Sequence, residues 1–313
     1  MTARFKYVFG PVPSRRLGRS LGVDLIPFKT CTFDCVYCQL GATTDNTVER
    51  KEFVPLDEVI AEVAAKLEAG PKPDYITLAG SGEPTLYARL GELVTAIKAI
   101  TDTPIAVLTN GSLLADPDVQ AALLPVDLVV PSLDAGTADL FERVNRPHPS
   151  LQFQTLVDSI VAFRERFHHQ LWLEILLVGG GIALEESEFD ALAGHAARIR
   201  PDKIQLNTVT RPPAESFAEP APLEQLQRLA ARLGPTCEIV SEAEGLRQQA
   251  GISTTAADIL EMLKRRPCSL EDIANGLSIR PNEAIKHLEH LEAQHAVATK
   301  KVGSTTYYTA REA

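Results

Sequence analysis

Between residues 21 and 241, short apolar runs alternate with longer segments whose apolar residues recur every three or four positions. The short runs predict strands over 21–26, 75–79, 105–109, 128–132, 171–178 and 203–208. They are rich in Val, Ile and Leu and apolar throughout, as strands covered on both faces are. The longer segments predict helices over 56–69, 87–100, 118–124, 151–167, 185–199 and 223–233. In the first of these, Val59, Ile60, Val63 and Leu67 share one stripe, Pro55 precedes it and Gly70-Pro71 ends it. Strand–helix alternation without hairpin signals predicts an α/β fold with a parallel sheet, either doubly wound or an incomplete (β/α)6 barrel. Spacing does not choose between the two.

The pattern changes after residue 241. Segment 242–251 carries no strand or helix periodicity and reads as a linker between a domain over 1–241 and a second over 252–313. Helices are predicted over 255–265, 269–277 and 281–294, followed by strands over 298–302 and 305–309 joined through Gly303-Ser304. Three helices and a terminal hairpin spell a winged helix-turn-helix. Its stripes (Ile259, Leu260, Leu263; Ile273, Leu277; Ile285, Leu288, Leu291) predict a core of its own.

Composition narrows the function classes. The chain has 313 residues, 45% hydrophobic and 23% charged, enough for a sizeable core. No apolar stretch reaches the ~20 residues that span a bilayer, and the N-terminus lacks the apolar region of a secretory signal. A cytoplasmic protein that avoids membranes is expected, with its thiols kept reduced. The net charge of −10 argues against a large nucleic-acid footprint. Segment 248–313 holds as many Asp and Glu as Lys and Arg, and the presumed recognition helix sets Lys286, His287 and His290 against Glu283, Glu289 and Glu292. DNA binding is therefore not expected.

Three of the five cysteines lie within eight residues, Cys31-Thr-Phe-Asp-Cys35-Val-Tyr-Cys38, directly after the first predicted strand. Thiolates this close converge on a soft metal or an iron–sulfur cluster. A structural zinc site is the alternative, but zinc takes four ligands and no nearby Cys or His completes the set. Cys237 and Cys268 stand alone on distant segments and read as buried residues. Arg15, Arg16 and Arg19, ahead of the first predicted strand, are either an anion site or a solvated basic stretch, and Arg146 and His148 read as structural. Glu174, inside an apolar run, needs a partner.

The C-x3-C-x2-C triad, with aromatic Tyr37 before its last cysteine, resembles the signature of the radical S-adenosylmethionine (SAM) superfamily. Gly80-Ser81-Gly82-Glu83-Pro84 after the second strand looks like that superfamily's GGE motif with Ser81 for the first glycine. The block FGPVPSRRLGRSLG (9–22) and the turn Thr109-Asn110-Gly111 resemble bacterial and archaeal relatives of the wyosine-base tRNA synthases. The resemblance implies an incomplete radical SAM barrel, a [4Fe–4S] cluster on Cys31, Cys35 and Cys38, and SAM on the iron they leave open. It implies further that Glu83 meets the methionine amine, with Gly80, Ser81 and Gly82 giving close backbone approach. Ser132 would meet the ribose, with Asp134 as alternative, and Tyr37 and Val178 would line the adenine. Those synthases carry a second cysteine group that this chain lacks, and no flavodoxin-like segment is present. Electrons are then expected from a separate flavodoxin or ferredoxin. An enzyme acting on a small molecule, peptide or tRNA base is the expectation; an iron–sulfur redox-sensing transcription regulator is the alternative.

Overall fold

A computed structural model of the chain describes residues 5–14, 16–182, 185–240, 256–277, 279, 281–302 and 305–311. The chain opens with β1 (Val8–Ser14) and β2 (Gly18–Val23), followed by two short strands, β3 (Thr30–Cys31) and β4 (Asp45–Asn46), that pair with each other. Strands and helices then alternate: α1 (Leu56–Ala69), β5 (Tyr75–Leu78), α2 (Leu90–Ile100), β6 (Ile105–Thr109), α3 (Pro117–Leu123), β7 (Leu128–Pro131), α4 (Ala138–Val144), α5 (Phe153–Arg166) and β8 (Gln170–Gly180). After these come α6 (Glu186–Ile199), β9 (Lys203–Thr208), β10 (Ala218–Pro220), α7 (Leu223–Leu233) and β11 (Cys237–Ile239).

The main sheet runs β1-β2-β5-β6-β7-β8-β9-β11, with β10 added on β8. Every pair from β2 through β11 on this path is parallel. Strand order follows chain order without reversal. Parallel crossovers are right-handed, so successive helices fall on the same side and the sheet curls away from them. A doubly wound sheet needs a reversal of order; here there is none. The helices accordingly touch in sequence, α1 on α2, α2 on α3, α5 on α6 and α6 on α7. The result is an α/β sheet curled into an open barrel whose ends, β1 and β11, do not pair.

Several features depart from the sequence reading, among them the short strands β3, β4, β10 and β11, which it did not predict. A hairpin does exist: β1 pairs antiparallel with β2, from Val8↔Val23 to Ser14↔Gly18. Gly10, Pro11 and Pro13 had masked it, since proline spoils a strand pattern yet is tolerated at a sheet edge. Helix α4 was also unforeseen; its Thr137 cap accepts from the Leu140 N–H, and only Leu140, Phe141 and Val144 turn inward. Smaller shifts follow local chemistry. The helix predicted from 87 starts at Leu90 because a 3-10 turn, Pro84–Leu86, occupies the approach. Strand β8 runs on to Gly180 because β10 pairs with Val178, Gly179 and Gly180.

Beyond the barrel stand α8 (Ala256–Arg265), β12 (Cys268–Ser269), α9 (Leu270–Gly276), α10 (Pro281–Ala293), β13 (Val297–Val302) and β14 (Thr305–Ala310). The three strands form an antiparallel sheet in the order β12-β14-β13. Ile259, Met262, Leu263, Ile273, Leu288 and Leu291 join a separate apolar cluster, against which Val12 of β1 packs. The predicted linker 242–251, Arg15 and the Gly303-Ser304 turn lie outside the described residues. Among the described residues, no helix is long and apolar enough to cross a membrane.

One glycine ties the sheet to the loop holding the cysteines. A Cβ on Gly82 would stand 1.8 Å from the Thr30 carbonyl oxygen and 2.7 Å from Ile26 Cγ2. Gly82→Ala is expected to cost about 1–3 kcal/mol or more, as forced overpacking does. Gly194, in mid-helix α6 with nothing within 4 Å of an added Cβ, is the control; Gly194→Ala should gain up to about 1 kcal/mol. Thermal unfolding of the apoprotein checks both, and an unchanged midpoint for Gly82→Ala would refute the contact.

Candidate functional site

The residues between the cysteines explain why the thiols face one way. Thr32, Phe33 and Val36 are buried, and the Phe33 ring packs edge-on against Phe141 at 5.3 Å. Backbone bonds anchor the same stretch to the chain after α4: Asp34 N–H donates to Asn145 O at 3.1 Å and Val36 N–H to Val144 O at 2.9 Å. With the spacers pinned inward, Cys31, Cys35 and Cys38 remain on the wall of a cavity of about 1450 Å³. Ordinary small-molecule sites are roughly 300–1,000 Å³, so the volume accommodates a cofactor and a second molecule.

Burial pushes the Cys31 thiol up to about 12 and the Cys35 and Cys38 thiols above their usual range; neighbouring thiols add to the rise at Cys31 and Cys35. Three partly buried, closely spaced thiols ionise together readily only beside a strong positive charge. Among the described residues, no three His, Cys, Asp or Glu side chains converge closely enough to hold a single metal ion. Two amides address the sulfurs. Asn110 Nδ2 donates to Cys31 Sγ at 3.7 Å and to Thr32 Oγ1 at 2.7 Å. Asn145 Nδ2 donates to Cys35 Sγ at 3.5 Å and to Asp134 Oδ2 at 2.8 Å. Asp134 also accepts from the Tyr37 hydroxyl and, at 2.9 Å, from the Leu176 N–H. Burial still raises the Asp134 carboxyl to about 6, and burial beside Asp134 lifts the Tyr37 phenol well above its usual range.

The Gly80–Gly82 turn borders the same cavity. Ser81 is held by Asp24, whose Oδ1 accepts from the Ser81 N–H at 3.0 Å and Oδ2 from the Ser81 hydroxyl at 2.5 Å. The Ser81 carbonyl accepts from Lys29 N–H at 2.8 Å, and Gly82 forms a parallel bridge with Thr30. Turn and cysteine loop are thus one hydrogen-bonded unit.

Glu83 points the other way. Its Oε1 accepts from Thr85 N–H, Thr85 Oγ1 and Thr109 Oγ1, at 3.0, 2.6 and 2.6 Å, and its Oε2 from Asn110 N–H at 2.7 Å. The carboxylate is fully buried, and desolvation raises its pKa against the pull of those donors. It braces the ends of β5 and β6 from beneath.

The structure therefore brings Cys31, Cys35, Cys38, Tyr37, Gly80, Ser81 and Gly82 to one wall. Glu83, Ser132 and Val178 are not among the described residues lining it. Ser132 donates its N–H to Thr109 O and bridges Glu174, while Val178 is covered by its pairing with Pro220. Glu174 has the partners its burial demanded: Arg16 at 2.6 Å and Asn207 at 2.7 Å, all three on the cavity wall. Arg19 pairs at 3.5 Å with Asp74, and Arg146 with Glu215 at 2.6 Å. Cys237 lies in β11 and Cys268 is buried in the C-terminal cluster, both apart from the triad. Sequence reasoning missed Asp24 and Asn145. Asp24 was the one acid inside the predicted strand 21–26, which in the structure ends at Val23; Asn145 had no local signal.

Residues 25–193 match the Radical SAM superfamily. A UPF0026 protein of Helicobacter pylori J99 is 35% identical over 308 residues, covering 97% of both chains. A Brachyspira hyodysenteriae protein named GTPase Obg is 38% identical over 289 residues; the match covers 90% of this chain but only 42% of that longer protein. In fold, the chain resembles Streptococcus suis SuiB, solved bound to S-adenosylmethionine, with a TM-score of 0.52, 15% identity, and coverage of 71% of this chain and 50% of that one. The chain belongs to the radical SAM superfamily, among the UPF0026 proteins.

Proposed function

We propose that the protein is a radical SAM enzyme that binds a [4Fe–4S] cluster through Cys31, Cys35 and Cys38 and cleaves SAM reductively to abstract hydrogen from a substrate. The observation that carries this reading is the shared wall: three partly buried cysteines and the Gly80–Gly82 turn face one cavity, and the cysteine loop is bonded to the turn through Lys29 and Thr30. Three cysteines with no fourth ligand beside them would suit a cluster better than a structural zinc, which takes four. A reduced cluster held there would supply the electron for reductive cleavage of SAM to methionine and a 5′-deoxyadenosyl radical.

The chain's own residues do the rest. Asn110 and Asn145 donate to two sulfurs, which lowers their negative charge and tunes how readily an electron is accepted. Asp134 fixes Asn145 and Tyr37 together, so the ring beside Cys38 cannot swing. The Gly80–Gly82 backbone lies open for the methionine moiety while Glu83, from behind, holds the turn in place. Arg16, Glu174 and Asn207 furnish a polar wall for a substrate. The electron donor in this reading is a separate flavodoxin or ferredoxin, in a cytoplasmic setting that keeps the thiols reduced. The C-terminal helices and three-stranded sheet match a winged helix-turn-helix in element order. Their balanced charge and their place on the cavity wall disfavour a transcription regulator.

Anaerobic incubation of the reconstituted protein with SAM and dithionite should release 5′-deoxyadenosine, and its absence from a protein with full iron and sulfide would overturn the reading. Cys35→Ala should lose the cluster chromophore, whereas Cys237→Ala should keep it. Glu83→Ala strands four donors and should lower apoprotein stability by about 3 kcal/mol or more, at roughly 1–3 kcal/mol for each unsatisfied group. Glu83→Gln, which keeps an acceptor oxygen, should lose less. Denaturant unfolding of the apoprotein decides the point, and an undiminished Glu83→Ala protein would remove the brace.

A further inference from the structure

The turn bordering the cofactor cavity is gripped from outside the barrel. Arg265, the last residue of α8, donates from Nη1 to Asp24 Oδ2 at 3.0 Å, the same oxygen that receives the Ser81 hydroxyl. Its Nη2 reaches the Lys6 carbonyl at 3.4 Å, and its guanidinium lies 4.0 Å from the centroid of the Phe9 ring. Phe9 in turn lies so close over Gly22 that a Cβ there would fall 2.1 Å from the ring. The side chains of Arg265 and Asp24 are only 17% and 12% exposed, so water does little to replace either partner. A charge-assisted contact of this kind is directional and short-ranged. It joins a C-terminal helix, the end of β2 and the Ser81 turn into one chain of contacts ending beside Lys29, Thr30 and Cys31.

A second contact runs the other way. Arg211, after β9, donates from Nη1 to Gln39 Oε1 at 3.1 Å and lies 3.6 Å from Asp272 of α9. Gln39 directly follows Cys38. The C-terminal helices therefore meet both the turn and the cysteine loop, through ion pairs whose four charged side chains all line the cavity.

We propose that Arg265 is a positioning residue for SAM: through Asp24 it fixes the Gly80–Gly82 turn, so that the C-terminal helices complete the cofactor site. The inference rests on the radical SAM reading above. With Arg265 gone, Asp24 keeps a poorly solvated charge with only the Ser81 donors. The carboxylate then turns toward water and releases the turn.

The test uses the full-length protein with its cluster reconstituted. Arg265→Met should retain normal iron and sulfide but raise the dissociation constant for SAM about tenfold in equilibrium dialysis. Arg265→Lys, which keeps the charge but not the fork, should recover part of the affinity. Asp24→Asn should weaken binding similarly, and the double variant should be no weaker than the weaker single one, because the two residues act as one unit. In the apoprotein, hydrogen exchange at residues 80–83 should quicken in Arg265→Met. Unchanged SAM affinity and unchanged exchange in a folded Arg265→Met protein would overturn the proposal, as would full additivity in the double variant. If exchange quickens but even the wild-type protein with its cluster fails to bind SAM, the radical SAM reading falls, and only the coupling of α8 to the turn survives.

Discussion

The contact between Gly82 and the Thr30 carbonyl is the constraint around which the site is organised. It sets the end of β5 against the loop from β2 at a distance that no side chain permits. Ser81 can then reach Asp24, its carbonyl can receive Lys29, and Cys31 emerges next to the turn. Below that plane Glu83 gathers Thr85, Thr109 and Asn110, so the ends of two strands and the first amide donor to sulfur are set by one buried carboxylate. Burying such a charge is expensive unless its oxygens are filled. Here they are, and the result is a rigid floor.

A second buried acid does the equivalent work on the opposite side. Asp134 receives Tyr37, Asn145 and the Leu176 amide, joining the cysteine loop to the chain after α4 and to β8. The two networks are parallel in logic: a carboxylate in the barrel interior accepts from an Asn amide or its backbone, and that Asn addresses a cysteine sulfur. Each sulfur contact is therefore oriented by a neighbour of the kind that metal sites need beyond their ligands. The wall facing them is more polar, with Arg16 paired to Glu174 inside the sheet. The C-terminal helices cover part of the same space and add Arg265 and Asp272 to its lining.

Much of this was legible before any coordinates. Spacing alone marked Cys31, Cys35 and Cys38, because three thiols in eight residues have few uses. The αβ alternation found β6, β9, α1 and α7 to the residue, because apolar strands and striped helices have different periods. The hairpin β1–β2 was hidden by prolines that an edge strand tolerates. Helix α4 is held by a cap and three apolar contacts, too short a pattern for periodicity to reveal.

Sequence by itself determined the class of the protein and marked the cysteine triad proposed to hold the cluster, since both rest on residue types at short, fixed separations. Only the tertiary structure decided which way each acid faces and whom it serves. The partners of Glu83, Asp134 and Asp24 lie as far as 27, 97 and 241 residues away along the chain. Such pairings depend on where separate strands and helices end in space, which no local pattern records. That is why the four donors that fill Glu83 could not be foreseen, why Asn145 and Asp24 were overlooked, and why an arginine from the C-terminal helices came to stand behind the Ser81 turn.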